Sequence, residues 1–137
     1  MTHRSTAAFL VLALLAVSCF ASPSMTLSGK YEYRTDPESI EVVGDFVCFY
    51  PSSKSAALLP RPKSDRRLPW FCFSNHHKAK EIFGLSAHID GAVCGFTGEA
   101  TIHVSEYITY RGEGDGFDTA RLQAASGVTK PKALPCK

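Results

Sequence analysis

The sequence predicts a mainly β domain of α+β type, a small barrel of five to six strands with one short helix, pinned by disulfides. Three observations carry this. Apolar and polar residues alternate at period 2 along Leu27–Arg34 and again from Gly98 to Tyr110. One segment, His76–Phe83, has helical spacing with clear ends, and four cysteines remain once an export segment is set aside. The chain has 137 residues, enough for one core, and residues 22–137 are expected to form that single domain.

The start of the chain sets the compartment. Arg4 is followed by Ala7–Val17, an apolar run of eleven residues without a charge. Crossing a bilayer takes about 20, so residues 1–21 read as a signal peptide cleaved after Ala21, and the product as secreted or periplasmic. A competing site is lipid attachment at Cys19. There Leu15-Ala16-Val17-Ser18 resembles a bacterial lipobox, with Ala16 where that motif usually has Leu, Val or Ile. A membrane contact is expected only in that case. Cleavage leaves Cys48, Cys72, Cys94 and Cys136, an even set that reads as two disulfides in an oxidising compartment. Three connectivities are open, and Cys72–Cys94 with Cys48–Cys136 is preferred. Zinc is disfavoured because no two cysteines have C-x-x-C spacing.

The elements follow in order. Leu27–Arg34 sets Tyr31 and Tyr33 against Lys30, Glu32 and Arg34, the mark of a half-buried strand. Thr35–Ser39 is a turn. Ile40–Tyr50 is a second strand with a bend at Gly44-Asp45, both of its faces apolar from Phe46 onward. Pro51–Pro69, with four prolines, is a long loop of the length that tends to carry function. An aromatic strand, Trp70–Phe73, leads into the helix His76–Phe83, which Asn75 starts and Gly84 ends. Asp90-Gly91 is a turn, Ala92–Phe96 a short strand, and the strand opened by Gly98 is the clearest of all. Asp118–Ser126 fits helix or strand, and a sheet in need of a closing partner favours the strand. The tail, Val128–Lys137, is held only if Cys136 is bonded. The order of three strands, one helix and further strands is similar to that of the OB-type barrel, whose helix lies between its third and fourth strands. That similarity is one of topology.

Catalytic patterns are weak. His76 and His77 are adjacent, so they point about 100° apart on a helix, and a metal would need His88 or His103 as well; no H-E-x-x-H motif is present. A nuclease-type hydrolase could draw on His77 and His103 with Lys78 or Lys80. No Gly-x-Ser-x-Gly elbow occurs. Glu113, Asp115 and Asp118 match a calcium loop only in part. Neither enzyme activity, cofactor nor metal is expected.

Surface signals point to binding. The net charge of +2 argues against a bulk polyanion partner, and no nucleic acid is expected. Charge is uneven, however: Lys54, Arg61, Lys63, Arg66 and Arg67 face one acid, Asp65, within Pro51–Pro69, while Glu99, Glu106, Glu113, Asp115 and Asp118 outnumber Arg111 between Thr97 and Asp118. Phe46, Phe49, Tyr50, Trp70, Phe71 and Phe73 flank the basic loop. The expectation is an exported binding module acting through protein–protein contact, of inhibitor, immunity or envelope accessory type. Tyr50, Arg61, Lys63, Arg66, Arg67 and Trp70 are the candidate contact residues. The alternatives are the nuclease-type hydrolase and a carbohydrate or envelope-polymer binder using Trp70.

Overall fold

A computed structural model describes residues 23–85 and 89–136. The expected signal peptide at 1–21, Cys19 and His88 lie outside the described residues. Those described form six strands and three short helices: β1 (Met25–Arg34), α1 (Pro37–Val43), β2 (Val47–Pro51), α2 (Ser53–Ala56), β3 (Phe71–Phe73), α3 (His76–Phe83), β4 (Val93–Ile108), β5 (Asp118–Ser126) and β6 (Lys132–Pro135).

The alternation along β1 does what its pattern demands. Leu27, Tyr31 and Tyr33 are buried, while Lys30, Glu32 and Arg34 face outward. One edge of β1 pairs with β2 and the other with β4, from Met25↔Val104 to Arg34↔Gly95. β2 pairs antiparallel with β3, β3 parallel with β5, and β5 antiparallel with β4. These pairings close a ring of five strands, β1-β2-β3-β5-β4. β6 lies along the first half of β4, with Phe96↔Ala133 and Thr97↔Lys132, on the edge that β5 occupies farther along.

The ring interior holds Leu27, Tyr31, Val47, Phe49, Phe71, Phe73, Ile102, Val104 and Leu122. α3 adds Ala79 and Phe83 to it, and the Phe83 ring stacks on Tyr31 with centroids 4.3 Å apart. Each fully buried ring of this kind stabilises by up to about 3 kcal/mol. Gly84 ends α3 in the left-handed conformation, as its position suggests. Asn75 opens the helix differently from expectation. Its side chain makes no cap; it donates to the Leu122 carbonyl at 2.8 Å and accepts from the Leu122 N–H at 2.9 Å, tying α3 to β5.

Several expectations are corrected. The segment expected to begin a strand at Ile40 is instead α1, because Asp36 caps it through Ser39 N–H and Pro37 sits in the first turn. α2 adds a third helix inside the Pro51–Pro69 loop, and its buried Ser55 accepts from the Ser28 N–H at 2.8 Å. β3 begins at Phe71, one residue after Trp70. The two strands expected around Gly98 are one, β4. A Cβ at Gly98 would lie 2.4 Å from the Tyr31 hydroxyl oxygen, so the glycine admits a ring and does not break the strand. Asp118–Ser126 is a strand, as expected.

Both disulfides form, in a different pairing from the preferred one: Cys48–Cys72 and Cys94–Cys136. The register explains both. Cys48 sits directly opposite Cys72 on β2 and β3. Cys94 lies beside the β4–β6 pair Val93↔Pro135, next to Cys136. Two disulfides point to an oxidising, non-cytoplasmic compartment. Among the described residues no helix is long and apolar enough to cross a membrane.

Candidate functional site

The outer surface of the ring carries a row of side chains that the register lines up. Lys30 lies opposite Tyr50; Phe49 lies opposite Phe71, which sets Tyr50 beside Trp70; and Phe71 lies opposite Asp118, which sets Trp70 beside Phe117. The rings follow suit. Tyr50 and Trp70 stack at 6.0 Å, Trp70 and Phe117 at 5.7 Å, and Phe46 meets Phe117 edge-on at 6.0 Å. The Lys30 ammonium stands 5.2 Å from the Tyr50 ring centre. Of the six aromatics read from the sequence, Phe49, Phe71 and Phe73 are core, while Phe46, Tyr50 and Trp70 belong to this outer face.

Beside the row runs a cleft of about 640 Å³. One wall is α1, none of whose residues is buried although it carries Ile40, Val42 and Val43. Val42 is 63% exposed. Phe46, Tyr50 and Trp70 line the cleft with Val42 and Val43, and the Cys94–Cys136 bridge stands at its edge. Its charged side chains are Glu32, Asp36 and Glu38 against Arg34. Arg34 donates to Glu32 at 2.9 Å and lies 4.0 Å from Asp36. Burial pushes the Glu32 carboxyl up, but hydrogen bonds from Arg34 and Lys30 outweigh it and hold it below the usual carboxylate range. Asp36 is held low too, first by the Ser39 hydroxyl.

No family model, curated protein or solved structure matches this chain.

The basic loop divides into two kinds of residue. Arg61 and Arg67 turn inward. Arg61 is within 3.0 Å of Asp65 and 3.1 Å of Asp118, and Arg67 donates to Asp65 through Nε and Nη2 and to Asp118 at 3.1 Å. Asp118, 1% exposed, also accepts from the Tyr107 hydroxyl and from the Tyr110 N–H at 2.8 Å. The Asp65 carboxyl is pulled down to about 2, chiefly by hydrogen bonds from Arg67. These two arginines fasten the loop to the start of β5. Lys63 and Arg66 are exposed, and Leu68 beside them is 76% exposed. Phe117 is the member of the aromatic row that the sequence reading does not name. Its only signal is its place two residues before Thr119 and four before Arg121, on the outward phase of β5.

Among the described residues the histidines do not gather. His76 rests on His77 at 4.1 Å and meets the Phe46 edge at 5.0 Å, at the start of α3. His103 Nδ1 lies 2.8 Å from Thr26 Oγ1, on the β1–β4 surface. Lys80 is engaged by Asp45 at 2.7 and 2.8 Å and sits 4.5 Å over the Tyr33 ring. Among the described residues no group of three His, Cys, Asp or Glu side chains is arranged to hold a metal.

Proposed function

We propose that this chain is an exported binding module that acts through protein–protein contact and not by catalysis, in the manner of an inhibitor, an immunity protein or an envelope accessory factor. The observation that carries this is the uncovered apolar surface made by α1 together with the Tyr50–Trp70–Phe117 row. A helix with no buried residue and three aliphatic side chains is stable in water only at a cost, and a partner's side chains would cover it. Exposed rings and aliphatic residues in a cleft, with polar groups at the rim, are the make-up of a protein contact.

The finer reading of the ring is an OB-like barrel. The order β1-β2-β3-β5-β4, the parallel β3–β5 pair and the position of α3 between β3 and β4 support it. In such barrels ligands are taken on the face of the second and third strands and by the loops after the first and fourth. Here those loops carry α1 and Phe117. Nucleic acid fits this face poorly, because Glu32, Asp36 and Glu38 would meet phosphates. A sugar stacks on an open ring face, and the faces of Trp70 are turned to Tyr50 and Phe117. The hydrolase reading draws less support, since His103 and the His76–His77 pair lie on different surfaces.

The test is recovery of the protein from its native compartment under mild conditions, with intact masses of every component. A protein partner at fixed stoichiometry is expected, and it should be lost when exposed Val42 and Leu68 are both changed to Asp in a chain that keeps its circular dichroism. Recovery of the protein alone, or a partner indifferent to those two substitutions, overturns the reading.

A further inference from the structure

We infer that the cleft beside α1 takes an extended segment of the partner that presents aliphatic side chains flanked by lysine or arginine. The inference rests on the reading of this face as a protein contact and names the chemistry of what fills it. Volume comes first: about 640 Å³ lies within the roughly 300–1,000 Å³ of clefts that hold ligands. The floor and one wall are apolar, with Val42, Val43, Phe46 and Trp70 offering carbon surface.

Charge decides the sign of the occupant. Three carboxylates line the cleft against one guanidinium, and that guanidinium is already committed to Glu32. Asp36 is half engaged: its Oδ2 accepts from the Ser39 N–H and hydroxyl, and its Oδ1 has Arg34 4.0 Å away and no hydrogen-bond donor. Its side chain is 24% exposed, so an ammonium or guanidinium group from the partner can add a charge-assisted contact there. Glu38, exposed in the first turn of α1, is placed to pair with a second cation. An anionic segment would face the opposite balance and be repelled.

Trp70 is the only tryptophan and lines the cleft, so its emission reports occupancy directly. The disulfide-bonded protein is titrated with three short synthetic peptides: alternating Leu and Lys, alternating Leu and Glu, and alternating Ser and Lys. The Leu–Lys peptide is expected to shift Trp70 emission saturably. Glu38→Lys should weaken it about fivefold, added salt should weaken it further, and Val42→Asp should abolish the shift. Both positions are exposed, so the fold survives the changes. An equal response to the Leu–Glu peptide, or indifference to Glu38→Lys, overturns the charge assignment. An equal response to Ser–Lys overturns the apolar one. Silence from all three peptides also overturns the inference. The protein-contact reading is judged apart from this by the recovered complex, and it stands if Val42→Asp with Leu68→Asp still removes the partner. Concentration-dependent self-association that Val42→Asp abolishes would give the cleft to a second copy of this chain and overturn the inference.

Discussion

Asp118 is the residue on which most of the polar order depends. Its buried carboxylate accepts from the Tyr107 hydroxyl and the Tyr110 N–H and pairs with Arg61 and Arg67, so removing it leaves those two donors without an acceptor and Arg61, only 10% exposed, with Asp65 as its remaining carboxylate. Asp118→Ala should cost about 1–3 kcal/mol in denaturant unfolding, because buried donors are left unsatisfied. Arg66→Ala, at an exposed position of the same loop, should stay within about 0.5 kcal/mol. Equal effects would mean that the network does not pin the loop. Asp65 makes the same network sensitive to acid. Its folded carboxyl titrates near 2 against an ordinary value of 3.8, so it stabilises the fold above pH ~4 and that contribution is lost as pH falls toward 2. Trp70 shares a cleft with Arg61 and Arg67 and should report the loosening. An emission change in that window, absent in Asp65→Asn, is the expected result. Sequence alone cannot separate Arg61 and Arg67 from Lys63 and Arg66, because the partner that sorts them, Asp118, is 51 residues from Arg67.

At the scale of the element, signals local to a segment are legible in the sequence and register is not. α3 is legible to the residue, since helical spacing and a terminal glycine are written within the segment, whereas Asp118–Ser126 fits helix or strand locally and only the sheet's need of a closing partner selects the strand that forms. α1 was missed because Asp36-Pro37 reads equally as a turn and as a cap followed by a first-turn proline, and its aliphatic residues suggest a strand. The expected break in β4 falls at Gly98, whose purpose is the close approach of the Tyr31 ring from β1; Gly95, inside the strand, serves the same approach, since with φ +145 a Cβ there would lie 2.1 Å from the Tyr33 carbonyl oxygen. The disulfide pairing and the Tyr50–Trp70–Phe117 row both depend on which residue faces which across strands. That information exists only in the assembled sheet. The link between elements that is easiest to test is Asn75. Its amide closes two hydrogen bonds with the Leu122 backbone, so Asn75→Ala leaves a donor and an acceptor on β5 unmatched. A loss of about 1–3 kcal/mol is expected, with faster hydrogen exchange at Leu122. Unchanged exchange there would show that the bridge contributes nothing.

Across the whole molecule the two disulfides have different standing. Cys48–Cys72 is buried between β2 and β3, whereas Cys94–Cys136 joins a half-buried residue to an exposed one and holds β6 against β4. Their separations, 24 and 42 residues, give each a loop-closure stabilisation of about 3–4 kcal/mol. Under mild thiol treatment followed by alkylation, Cys94 and Cys136 should be labelled first, and Cys48 and Cys72 only as the core unfolds. Simultaneous labelling would place the two bridges in one cooperative unit. The polarised charge anticipated from the sequence also changes meaning at this scale, since part of the basic loop cancels part of the acidic segment through Asp118. What remains outward is Lys54, Lys63 and Arg66 from the loop and Glu99, Glu106, Glu113 and Asp115 from the acidic segment.

The position of β4 sets the order in which this chain can assemble. It is the strand on which β1, β5 and β6 all depend, and its pairing with β1 spans sequence distances as long as 79 residues, between Met25 and Val104. No first half exists that could fold and wait for the second. Chains whose contacts are this distant fold on the millisecond-to-second scale, after a long search for closure. Ring closure is then a late event, and an oxidant meets the thiols of Cys48, Cys72, Cys94 and Cys136 before geometry has chosen their partners.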